Sequence, residues 1–187
     1  MSNVIGSIEA EFRRYKALAE GAIAQLREPE LCGPGTSGNS VAVLVWHVAG
    51  NLRSRFTDFL TADGEKPWRH RDEEFDSRVV SRAEVLEKWE SGWSALFGAM
   101  AGLTDADLTR TVTIRGQALE VQEALHRSLA HTSYHVGQIV YVAKSLRGEG
   151  WTYLSIPPGR SAAYNRNPTA DRPEAHASKL TDRGGRS

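Results

Sequence analysis

The stretch Glu120–Leu146, EVQEALHRSLAHTSYHVGQIVYVAKSL, decides the fold class. Val121, Leu125, Leu129, Thr132, Val136, Ile139, Ala143 and Leu146 recur at steps of mostly three and four residues, the period that draws one apolar stripe down an α-helix. The helix stops before Gly148. Just upstream, Thr111–Leu119 puts β-branched residues on both sides of Gly116, which predicts a short hairpin. Further back, Ser81 followed by Glu84 is a capping box that opens another helix, with Val85, Trp89, Trp93, Leu96, Phe97 and Met100 inward and an end at Gly102. Ser40 caps a helix carrying Val41, Val45, Val48, Leu52, Phe56 and Phe59, expected to run to about Thr61 before Gly64 and Pro67. The first helix carries Ile5, Ile8, Phe12, Tyr15, Ala19, Ala22 and Leu26, and is expected to stop at Pro29 and a Gly/Pro loop over Cys32–Asn39. Four long amphipathic helices predict an all-α fold, a four-helix bundle with a hairpin before its last helix.

Three further segments fall outside those helices. Ala62–Val80 is a long charged connection, and a connection of that length crosses something or does something. Within it Trp68, Arg69, Arg71, Asp72 and Glu73 suit a lid or a subunit contact, against the plainer expectation of a solvated charge run. Trp151–Pro158 reads as an extended segment laid over the bundle, and residues 165–187 as a polar, disordered tail beyond a domain over residues 1–164.

The chain has 187 residues, 40% of them hydrophobic, enough for one continuous core. Lys plus Arg and Asp plus Glu are both 23, so no global field draws in nucleic acid or anionic lipid. Cys32, the single cysteine, has no internal disulfide partner, which suits a reducing compartment, and no base near it in sequence makes it a nucleophile. Glu9, Glu11, Arg13 and Arg14 interrupt any apolar leader, and no apolar run is long enough to cross a bilayer. A cytoplasmic protein acting on a small molecule is expected.

His131 and His135 stand four apart, one turn of helix, so both imidazoles can converge on one ion. His47, in the apolar context Val45-Trp46-His47-Val48-Ala49, is the natural third ligand. The competing reading makes each a core histidine satisfied by its neighbours. Thr132, Ser133 and Tyr134 occupy the interval between the paired histidines, so the glutamate of a His-Glu-x-x-His metalloprotease is missing. Asn51, Ser54 and Gln138 share the histidines' helix faces and suit either positioning groups or ordinary interhelical hydrogen bonding. Ala124 and Ser128 leave room there for an ion, water and substrate. His126 turns away, His70 reaches the site only if its loop folds over it, and His176 belongs to the tail.

His47-Val48-Ala49-Gly50-Asn51 together with His131-Thr132-Ser133-Tyr134-His135-Val136-Gly137-Gln138 resembles the DinB-like superfamily of bundle metalloproteins, over most of Val4–Tyr164. Asn51-Leu52-Arg53-Ser54-Arg55-Phe56, Gly64-Glu65-Lys66-Pro67-Trp68-Arg69 and Leu154-Ser155-Ile156-Pro157 look like a bacterial branch of unknown function. The resemblance implies an up-down-down-up bundle in which Ala62–Val80 crosses to a parallel third helix, and a metal triad of His47, His131 and His135. It also implies a zinc or nickel ion, a homodimer, and transferases acting through a metal-bound low-molecular-weight thiol. A metal-dependent hydrolase and a non-catalytic ligand-binding bundle are the alternatives. Asp58, the one acid at a compatible helical phase, would lie roughly 16 Å along the axis from His47, too far to act as a base.

Overall fold

Serine side chains open two of the long helices. In the computed structural model of the protein, which describes residues 4–33, 38–169 and 171, Ser40 Oγ accepts the Val43 N–H at 3.2 Å and Ser81 Oγ accepts the Glu84 N–H at 3.3 Å. Glu84 closes its capping box by accepting the Ser81 N–H. The element order is α1 (Val4–Ile23), α2 (Glu28–Cys32), α3 (Val41–Phe56), α4 (Arg82–Met100), β1 (Thr111–Ile114), β2 (Gln117–Glu120), α5 (Val121–Arg147) and α6 (Ser161–Asn165). The described chain is mostly helical with one two-stranded antiparallel hairpin.

α3 packs chiefly on α4 and α1 chiefly on α5, while lesser contacts join α3 to α5 and α1 to α4. Their stripes meet in one core that fully buries Phe12, Leu44, Leu52, Trp89, Trp93 and Ile139. α3 and α4 approach so closely that a Cβ on Gly92 would sit 2.6 Å from Ala49 Cα, which is why glycine stands in a helix interior there. Among the described residues no helix is long and apolar enough to cross a membrane.

Three boundaries differ from expectation. α1 ends at Ile23, although Leu26 beyond it is still buried. Pro29 does not stop a helix but sits in the first turn of α2, where its missing N–H has no intrahelical partner to lose. α3 ends at Phe56, short of Thr61, because Thr57 is extended and Asp58 takes a left-handed φ of 51°. The chain turns there without the aid of glycine or proline, which lets Phe59 fold back to 5.0 Å from the Phe56 ring.

The hairpin turn uses Arg115 and Gly116 at φ 55° and 72°, a primed two-residue turn whose twist suits paired strands. It is latched to the connection after α3. Asp63 accepts the Arg115 and Gly116 N–H groups, both at 2.8 Å, and the Gly64 N–H donates to Thr113 O at 2.7 Å. Beyond α5 the extended segment lies over the bundle as expected. Trp151 is buried, Gln25 exchanges two hydrogen bonds with the Thr152 backbone, and Leu154 rests over Gly21. Of the tail expected from residue 165, only 165–169 and 171 are among the described residues, and Asn165 closes α6.

Candidate metal centre

α3 and α5 bring His47, His131 and His135 together, with one ligand atom from each lying within 4.8 Å of the others. His47 Nε2 and His131 Nε2 are 3.2 Å apart. Two imidazole nitrogens on one tetrahedral ion, each about 2.0–2.1 Å from it, stand roughly 3.3 Å apart, so this spacing fits a shared cation. His47 and His135 are buried and His131 is half-buried.

Hydrogen bonds aim two of the rings. Glu74 Oε2 lies 2.9 Å from His47 Nδ1, and an ionised carboxylate only accepts, so Nδ1 donates and Nε2 faces the centre. Gln138 Oε1 lies 2.7 Å from His135 Nδ1, and its amide nitrogen is spent on Tyr134 Oη, so the same tautomer follows. His131 Nδ1 is buried and has no partner among the described residues. Burial, then the neighbouring His135 and His47, push His131 down to about 3. Burial also lowers His135, against the opposing hydrogen bond of Gln138. Both rings are neutral at pH 7, the state in which imidazole binds metal. The donor set therefore fits a divalent ion.

Glu74 and Arg69 complete the surroundings of His47. Arg69 donates from Nε to Glu74 Oε1 at 2.8 Å and from Nη2 to Oε2 at 2.9 Å, and its Nη1 donates to Ser54 Oγ. Burial alone would raise the Glu74 carboxyl, but the hydrogen bonds from His47 and Arg69 and the charge of Arg69 outweigh it and hold the group below its usual range. Room for the carboxylate comes from Gly50, where a Cβ would lie 2.0 Å from Glu74 Oε1. Sequence spacing does not reveal Glu74, 27 residues from His47 within a charged run. The one available signal is Gly50, a glycine one helical turn from a buried histidine.

The histidines open onto a cavity of about 470 Å³ with Phe56, Phe59 and Phe75 on its walls. The family described as "protein of unknown function (DUF1572)" matches residues 2–160. The chain belongs to that family. Neither a curated protein nor a solved structure is matched.

In this DUF1572 chain the other residues singled out by sequence fall into place as follows. Asn51, Ala124 and Ser128 line the cavity, and Gln138 holds His135. Ser54 does not face the cavity; it is buried under Arg69 and donates to Asn51 O. Arg69 is buried, contrary to a solvated charge run, and Arg71 reaches the cavity, whereas Trp68, Asp72 and Glu73 stay exposed. His70, His126 and Asp58 are exposed and contribute nothing to the cluster, and His176 lies outside the described residues. Cys32 is half-buried in α2, not in a loop, and its sulfur pairs with the backbone of Val80.

Proposed function

We propose that this DUF1572 member is a DinB-like metalloenzyme, a bundle of up-down-down-up topology in which His47, His131 and His135 hold zinc or nickel and a low-molecular-weight thiol is transferred to an electrophile. The observation that carries the reading is the convergence of three imidazoles, two of them aimed by Nδ1 hydrogen bonds, on the wall of a cavity. An ion bound there supplies a Lewis acid that lowers the pKa of a thiol at an open position. The chain's own residues do the rest. Glu74 keeps the His47 proton on Nδ1, Gln138 does the same for His135, and Asn51 offers the substrate an amide from the α3 side. Phe56, Phe59 and Phe75 give the cavity an apolar wall against which a substrate body can lie.

Thiol transfer is favoured over hydrolysis by the placement of carboxylates. Among the described residues none lines the cavity, and Glu74, the one acid beside the histidines, is fully engaged by His47 and Arg69. A hydrolase of the His-Glu-x-x-His kind uses a free carboxylate beside the ion to deprotonate and aim a water. The cytoplasmic location expected from the sequence and the homodimer implied by the resemblance belong to the same proposal.

Metal analysis by mass spectrometry of the purified protein and of His131→Ala is the test. A near-stoichiometric divalent ion that disappears in the variant supports the reading. Metal-dependent conjugation of a thiol to chlorodinitrobenzene then supports the transferase. No ion after reconstitution overturns it in favour of a ligand-binding bundle whose histidines are core residues.

A further inference from the structure

The cavity beside the histidines is unusually rich in cations. Arg55, Arg69, Arg71, Arg115 and Arg127 all line it, and no Asp or Glu among the described residues does. Their countercharges are few and lie off the cavity lining. Arg69 is neutralised by Glu74. Arg55 and Arg115 share the single carboxylate of Glu65, at 3.3 and 2.8 Å. Arg71, whose guanidinium lies over the Phe75 ring, has one acidic partner among the described residues, Asp72, whose side chain is fully exposed and 3.4 Å away. Arg127 has no acidic partner among the described residues.

Two further observations point to a ligand. Ser128, next to Arg127 on α5, is buried and lines the cavity, yet its hydroxyl has no hydrogen-bond partner among the described residues. A buried hydroxyl left unpaired loses free energy that a bound acceptor would restore. Arg55 is held below its usual range by burial first and then by the charge of Arg69, a burden that an incoming anion relieves.

We propose that the cavity takes a small organic anion, its carboxylate or phosphate held by Arg127, Arg71 and the Ser128 hydroxyl and its apolar body lying against Phe56 and Phe59. A guanidinium fork matches either oxyanion with two parallel hydrogen bonds. A cleft lined by one sign of charge concentrates ligands of the opposite sign. A volume of about 470 Å³ suits a metabolite-sized molecule. This names the substrate class of the proposed metal-dependent reaction and rests on that reading for its chemistry, while the anion contacts themselves require no ion.

The test is calorimetric binding of 5-phenylvalerate, 4-phenylbutyl phosphate and 5-phenylvaleramide, which share one phenylbutyl body, to the full-length protein, first metal-free and then loaded with zinc. The metal-free protein should bind at least one of the acids, at least about tenfold more tightly than the neutral amide, and more weakly as salt rises. Preference between the two acids identifies the head group. Arg127→Gln and Arg71→Gln should each weaken that binding about tenfold or more, while Arg160→Gln, which removes an exposed charge away from the cavity, should not. Arg127 and Arg71 are both exposed, and a wild-type thermal midpoint for either variant confirms that it folds. Binding of the amide as tightly as the acids, no binding of either acid, or unchanged binding in both arginine variants overturns the proposal. Because the decisive arm is metal-free, loss of the ion-binding reading leaves this result intact, and absent anion binding in a protein that loads zinc refutes this inference alone.

Discussion

Replacing Gly50 by alanine probes how firmly Glu74 is held. The new Cβ would lie 2.0 Å from Glu74 Oε1 and 2.7 Å from its Cδ, so the carboxylate has to move. In an ordinary helix interior the substitution stabilises by about 1 kcal/mol, because alanine loses less backbone entropy than glycine on folding. Here displacement breaks the pair with Arg69, whose side chain is 2% exposed, and the hydrogen bond to His47. Removing one partner of a buried ion pair costs about 3–5 kcal/mol. The balance is a destabilisation of about 2–4 kcal/mol, a large share of a typical domain's stability. In a Glu74→Ala background nothing remains to displace, and the same Gly50→Ala change should stabilise by about 1 kcal/mol. Urea unfolding of the four metal-free proteins reads the reversal of sign from their midpoints, provided the slopes agree. Additive effects within about 0.5 kcal/mol would show that the carboxylate steps aside at no cost, and would refute the argument that the buried pair holds this corner of the site.

Glu74→Gln keeps the shape but removes the charge that fixes the His47 proton, and should weaken zinc binding about 10- to 100-fold in a chelator competition while the helical circular dichroism is retained. Gly92→Ala drives a methyl group toward Ala49 Cα, a backbone atom that cannot rotate away, and should destabilise by about 1–3 kcal/mol in thermal or urea unfolding, with zinc affinity per folded molecule little changed. Acid should also weaken the metal-free protein. His131 stays neutral in the fold until about pH 3 but takes a proton near 6.5 when unfolded, so its contribution is complete above 6.5 and is lost as pH falls from there toward 3. A His131→Gln variant should show a shallower decline of unfolding midpoint over that window.

Much of the architecture was legible because it follows local rules. The serine caps, the apolar stripes and the Gly116 turn each lie within a few residues of the feature they specify. The histidine cluster was legible for the same reason, since four residues is one helical turn and His47 stood out as polar in an apolar run. The end of α3 was not, because Asp58 enters the left-handed region without glycine, under the pull of Phe59 toward the core. Pro29 misled because a proline that stops one helix is equally at home in the first turn of the next. Arg69 and Glu74 were hidden among neighbours of the same composition. Their burial depends on each other and on His47 across 27 residues, a dependence that no local window contains.

The latch from Asp63 to the hairpin turn divides the cavity between two kinds of scaffold. Rigid helices supply the histidines, whereas Ile114, Arg115 and Gln117 reach the cavity from a short hairpin held by Asp63, Gly64 and Glu65. Hairpins tolerate insertions and altered turns far better than helix interiors do. A longer or recharged turn would therefore change which small molecules the cavity admits while the histidine floor on the helices stays as it is. Transplanting the hairpin between family members, with the Asp63 anchor retained, is the economical route to altering selectivity.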